Sequence, residues 1–189
     1  QTLLIEPDCI PCMAKMVVSA LRRLNVPHEN RREIFSEVLK LPAFWGMGWD
    51  QTSPEVIEKI WETICRLTGQ PDPFIQEKRS QNQRVLALAP VFSRWIHQAE
   101  DPLKTAVHMA IIGNSIDLMI DNNAEAIEAA VREGLLRNLP EAAYAQFSNG
   151  LKNTRRLVYL GDNSGEIVFD KLLLECIREL IDPDIYFVV

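Results

Sequence analysis

The run Leu157-Val-Tyr-Leu-Gly-Asp-Asn-Ser-Gly-Glu-Ile-Val-Phe-Asp170 constrains the fold more than any other stretch, because a short apolar segment stops abruptly at polar residues and a helical pattern follows at once. Residues 157–160 read as a buried strand, and residues 166–181 carry Ile167, Leu172, Leu173, Cys176, Ile177 and Leu180 at helical spacing. The loop 161–165 therefore joins a strand to a helix, and in open α/β sheets ligands bind at the carboxyl ends of strands. Asp162 offers a carboxylate and Asn163 an amide oxygen, the hard donors that Mg²⁺ or Mn²⁺ prefers. The backbone amides of Ser164, Gly165 and Glu166 open the helix and would cradle an anion. The same residues also suit a plain turn in which Asp162 caps the helix and Gly165 relieves strain, and pattern alone weighs the two readings equally.

Upstream of that strand nearly every segment reads as helix. Residues 13–24 are amphipathic, Pro27 interrupts them, and Ile34, Phe35, Val38, Leu39 and Leu41 resume the pattern. Ser53-Pro54, Asp72-Pro73 and Asp101-Pro102 each place a capping oxygen before a proline at the first helical position. Gly69 closes the helix that begins near Pro54, and Pro90 should kink or end the next one near Ala89. Residues 106–120 form a central apolar helix, with further helices over 124–136 and 140–151. The aromatic and glycine-rich stretch 43–49 reads as a lid or a packed loop.

Asp182-Pro-Asp184 turns the last helix into a strand over 185–189, which completes a βαβ unit. A parallel pair of this kind belongs in a sheet covered on both faces. The fold class is α/β overall: a mainly α-helical N-terminal region, a helical bundle over 1–152 divisible at 70/71, followed over 153–189 by the start of a Rossmann-like parallel α/β domain. Two strands leave open edges, so the sheet is expected to continue outside this sequence or to be completed by another chain.

Composition narrows the function. A net charge of −6 argues against a nucleic-acid surface, which needs a basic stripe. No apolar run approaches the roughly 20 residues of a membrane span, and the first residues lack a signal-peptide pattern. The expected location is the cytoplasm, with an oligomer allowed. Cys9, Cys12, Cys65 and Cys176 are too few for a disulfide framework and read as reduced thiols.

Some polar residues stand out against their surroundings. Asn114, Asp117 and Asp121 share one face of an otherwise apolar helix. A carboxylate there needs a partner, supplied by a metal, a cation or a helix end; alternatively Asp121 simply ends the helix and the other two bond backbone. Gly113 inside that helix costs about 1 kcal/mol relative to alanine, which suggests close approach of another backbone or a ligand. Lys78 and Asn82 are four apart and can point at one target, or belong to a solvated face. Cys9-Ile-Pro-Cys12 precedes a helix, as redox cysteines do, yet a thioredoxin-type motif should follow a strand, for which residues 3–5 are a thin candidate. As a zinc site the pair would need more ligands, with Cys65 and His108 as sources.

These motifs together resemble one family, the damage-control phosphatases, also known as domain of unknown function 89, in their stand-alone microbial branch with an N-terminal CxxC. The resemblance rests on Cys9-Ile-Pro-Cys12, Asp72-Pro-Phe with Lys78 and Asn82, Gly113-Asn114-Ser-Ile-Asp117 and Gly161-Asp-Asn-Ser-Gly-Glu-Ile-Val-Phe-Asp170, in the family's order along nearly the whole chain. It implies a divalent-metal-dependent phosphatase, using Mg, Mn, Co or Ni, that acts on small phosphorylated metabolites such as sugar phosphates. Asp162 and Asn163 align with two of the family's metal ligands; the third, an Asp in an Asn-Asp-Ala-Thr-like segment, has no counterpart in this sequence. The resemblance favours substrate-side roles for Asn114 and Asp117, and for Lys78 at phosphate charge and Asn82 at hydroxyl or phosphate oxygens, beside Ser164 and Gly165. Glu166 or Asp170 would assist proton transfer or hold the metal ligands in place. The resemblance marks Cys9 and Cys12 as a family feature without giving their role, and a structural role, by metal or by packing, is the first expectation.

Two other functions compete. A Rossmann-type methyltransferase or dinucleotide enzyme would want a third closely spaced glycine, which residues 161–165 lack. A non-catalytic metal or redox module would be built on Cys9 and Cys12. Aspartyl-nucleophile chemistry of the haloacid dehalogenase type is disfavoured because Ser164 stands where a second Asp is required, and no phosphate loop with Gly-Lys-Ser or Gly-Lys-Thr occurs.

Overall fold

The structure is a computed structural model and describes residues 3–115 and 123–188. The chain is α/β and mostly helical, and it divides into two compact units, Gln1–Ile75 and Gln76–Val189.

The first unit holds α1 (Cys9–Arg23), α2 (His28–Val38) and α3 (Ser53–Thr68). Met13, Val17 and Leu21 of α1 meet Ile34 and Val38 of α2 and Val56, Ile60 and Ile64 of α3 in one apolar cluster. The spacing of these residues by four places them on one stripe of each helix, which is why the stripes close on one another. Thr52, rather than Ser53, caps α3: its amide and hydroxyl donate to Glu55 Oε2 at 2.6 and 2.8 Å. Gly69, at φ +69°, ends the helix as its sequence position suggests. Between α2 and α3 a 3-10 turn, Pro42–Trp45, turns Ala43 inward and leaves Trp45, Met47 and Trp49 exposed.

The second unit contains α4 (Ile75–Gln98, whose first residue closes the first unit), α5 (Pro102–Ser115), α6 (Ala124–Leu135), α7 (Glu141–Leu151), β1 (Arg156–Leu160), α8 (Glu166–Ile181) and β2 (Asp184–Val188). Of the two outcomes expected at Ala89, a kink or an end, the end does not occur: α4 runs on through Pro90 to Gln98. Pro90 lies inside it and is exposed, while Leu88, Phe92 and Ile96 on either side are buried and hold the helix to the core. Asp101 caps α5 through Lys104 N–H (2.9 Å), and Asn123 caps α6 through Ala126 N–H (2.8 Å). The Asp72-Pro73 start is looser: Asp72 Oδ1 accepts from Phe74 N–H (3.1 Å), and regular helix begins only at Ile75.

The core of this unit joins Val85, Phe92 and Ile96 to Ala106 and Met109, Ile127 and Val131, and Phe169, Leu173 and Ile177. Phe92 and Phe169 stack with centroids 5.3 Å apart. A Cβ on Gly113 would lie 2.6 Å from Phe169 Cδ2. The reason for the glycine is therefore an aromatic side chain of α8, not the backbone or ligand expected.

β1 and β2 pair in parallel, with Val158 opposite Tyr186 and Leu160 opposite Val188. On one face Leu157 and Tyr159 pack on the core, and Tyr159 stacks on Phe187 at 5.8 Å. On the other face Val158, Leu160, Tyr186 and Val188 are exposed, so only one face of this pair is covered. No described helix is long and apolar enough to cross a membrane.

Candidate functional site

The site grows from the carboxyl end of β1. Gly161 N–H donates to Val188 O at 2.8 Å and extends the ladder by one residue, after which Asp162 and Asn163 turn out into solvent. Gly165 stands at φ +84°, a region where a Cβ is strained, and delivers the chain into α8. Its N–H donates to Asn82 Oδ1 of α4 at 2.6 Å. Of the three amides expected to cradle an anion, the one on Gly165 is thus already taken by a side chain.

Glu166 is the hub of the cluster. It is 9% exposed, and each carboxylate oxygen accepts one carboxamide N–H: Oε1 from Asn163 Nδ2 at 3.1 Å and Oε2 from Asn114 Nδ2 at 3.0 Å. A buried carboxylate needs such donors. The bond also fixes which way the Asn163 carboxamide faces: the nitrogen is committed to Glu166, which leaves the oxygen to meet an external group. One helix turn further on, Asp170 accepts the Tyr159 hydroxyl at 2.6 Å. Burial pushes the Asp170 carboxyl above the ordinary aspartate value; the Tyr159 bond opposes this, and the charges of Glu166 and Asp162 add to it. Burial, together with Asp170, also raises the Tyr159 hydroxyl.

The structure thus brings Asn82, Asn114, Asn163, Gly165 and Glu166 into one bonded cluster, next to Asp162 and Ser164. Lys78 is exposed one turn before Asn82 on α4. Asp117 and Asp121 lie outside the described residues. Tyr159 is a participant that the sequence reading missed. Its signal was the strand alternation, which turns Tyr159 to the same side as Leu157, the side that α8 covers.

For a divalent cation, Asp162 and Asn163 present a carboxylate and an oriented amide oxygen in solvent, a donor set that fits a hard ion. Among the described residues no group of three or more His, Cys, Asp and Glu is placed to hold a metal by itself. The cysteine pair lies in the other unit, in the first turn of α1; both thiols are free, Cys9 half-buried and Cys12 exposed. Leu4 makes a single antiparallel bridge to Thr52, so among the described residues the segment before the pair holds an isolated bridge rather than the regular strand of a thioredoxin-type motif. Cys65 Sγ donates to Pro71 O at 3.6 Å, and Cys176 is buried in the core.

Known proteins place this geometry in context. The chain is 26% identical over 176 residues to a damage-control phosphatase of Archaeoglobus fulgidus, covering 92% of this chain and 60% of that protein. It is 26% identical over 184 residues to a damage-control phosphatase of Pyrococcus horikoshii, covering 96% and 62%. The crystal structure of a DUF89 family protein from Pyrococcus horikoshii superposes with a TM-score of 0.80 at 24% identity, over 98% of this chain and 64% of that one. The chain spans about three-fifths of the length of these curated relatives. The model of the damage-control phosphatase ARMT1-like domain matches residues 5–189, and the chain belongs to that family.

Proposed function

We propose that this chain carries the Asp162–Asn163 part of the active site of a divalent-metal-dependent phosphatase that hydrolyses phosphate monoesters of small metabolites, sugar phosphates or related by-products. The observation that supports it best is the double clasp on Glu166, which orients Asn163 beside Asp162 at a strand end. An Mg, Mn, Co or Ni ion held there would polarise a phosphoryl oxygen. Asp162 and Asn163 would hold it through oxygen, and Glu166 with Asn114 keeps the Asn163 oxygen turned outward. The start of α8, with Ser164 and the Glu166 amide, favours negative charge on the phosphate. Lys78 offers a further positive charge and Asp117 a substrate-side contact. Asn82 acts through Gly165, whose amide it holds, and Asp170 acts through Tyr159 to keep α8 seated on β1. The β1–α8–β2 unit, residues 153–189, is read as the opening of a Rossmann-like sheet.

The test is phosphate release from a panel of sugar phosphates and nucleotides by the gene product that carries this chain, with and without each metal. Metal-dependent release that Asp162→Ala lowers by about 100-fold or more is the expected outcome. Silence across the panel, or activity indifferent to Asp162→Ala, defeats the reading.

A further inference from the structure

The cysteine pair is the sequence motif that the phosphatase reading leaves unused. Cys9 is the first residue of α1 and Cys12 the fourth, so the two thiols lie one turn apart on the same side of the helix. Residues so spaced hold their Cβ atoms roughly 5–6 Å apart, whereas a disulfide draws them to about 3.5–4.5 Å. The difference falls in a terminal turn, which tightens toward 3-10 geometry more easily than the helix body. Pro11 between them has no N–H, so tightening sacrifices no hydrogen bond there.

The two sulfurs are not equivalent. Cys12 is exposed, while Cys9 is half-buried and its Sγ accepts from Glu6 N–H at 3.4 Å and from Ser53 Oγ–H at 3.8 Å. No metal-holding group of His, Cys, Asp and Glu forms around the pair among the described residues, whereas a structural zinc site wants four ligands.

We propose that Cys9 and Cys12 form a redox-active dithiol that closes to an intramolecular disulfide by exchange with a small disulfide of the glutathione type. The exposed Cys12 thiolate attacks one sulfur of the incoming disulfide, and the other half leaves as a thiolate. The Cys9 thiolate then attacks Cys12 Sγ, forms the Cys9–Cys12 bond and expels the second half. The two protein protons pass to the two expelled thiolates. The dithiol has lost two electrons and the incoming disulfide has gained them. Cys9 Sγ also touches Ser53 at the start of α3, so the pair sits where α1 and α3 meet.

The experiment treats the folded chain with oxidised glutathione, quenches in acid, alkylates the remaining thiols and maps the peptides by mass spectrometry. The tryptic peptide ending at Lys15 holds both cysteines; it should lose two hydrogens, take no alkyl label and recover both labels after dithiothreitol. Thiol loss at the pair should outrun that at Cys65 by roughly tenfold. Cys9→Ser should stop at a glutathione adduct on Cys12. Two separate adducts on the native peptide, labels retained on both thiols, or stoichiometric zinc that blocks the reaction would each overturn the proposal.

Discussion

Asp170 and Tyr159 make a buried pair whose energetics follow pH. The Asp170 carboxyl is raised in the folded chain, mainly by burial, so the fold holds its proton more tightly than the unfolded chain does. Its contribution to stability is therefore full below about pH 4, the ordinary aspartate value, and is lost as pH rises through the raised folded value. Asp170→Asn stays neutral and still accepts the Tyr159 hydroxyl. Chemical denaturation at stepped pH should show this variant gaining on the native chain as pH rises; a gap that does not change with pH would refute the assignment. Gly113→Ala places a methyl against the Phe169 ring, and a loss of about 1–3 kcal/mol is expected in the same assay. At this scale contiguous residues were legible: Asp162 and Asn163 stand together in the sequence and at the strand end. The bond from Asn114 to Glu166 was not, because 52 residues separate them and no local pattern encodes which carboxamide reaches which carboxylate.

Helices announce themselves by their apolar stripes, and those of α3 and α8 are traceable in the sequence alone. Their ends were less legible. At Ser53 two candidate caps are adjacent, and Glu55 settles the choice by reaching back to Thr52. Pro90 does not end α4 because proline penalises a helix only locally, while Phe92 and Ile96 return more by burial than one lost backbone bond costs. Asn123→Ala should cost about 1 kcal/mol by removing the cap of α6, with lower amide-exchange protection confined to its first turn. Equal loss along the whole helix would show that the cap does more than close that end.

At the scale of the molecule, the two units have separate apolar clusters, and the parallel pair has one face on the second cluster and one in solvent. Val158, Leu160, Tyr186 and Val188 form an exposed apolar surface on neighbouring strands, a setting that favours association. Leu160→Lys should lower light scattering by concentrated chain without shifting its thermal midpoint. Scattering that stays high would assign association to another surface. The parallel pairing was legible from the βαβ pattern, but the bare outer face was not, since strand residues read alike whether or not something covers them.

The bond from Gly161 to Val188 makes β2 the gauge of the site. The register of β2 against β1, which that bond carries on to Gly161 at the start of the polar loop, is fixed by the short turn after α8. An added residue at 182–183 would swap the two sides of β2, bringing Tyr186 inward and sending Phe187 out. The address of Asp162 is thus written beyond the far end of a helix, and a length change there would misplace the carboxylate while leaving every residue of its own loop intact.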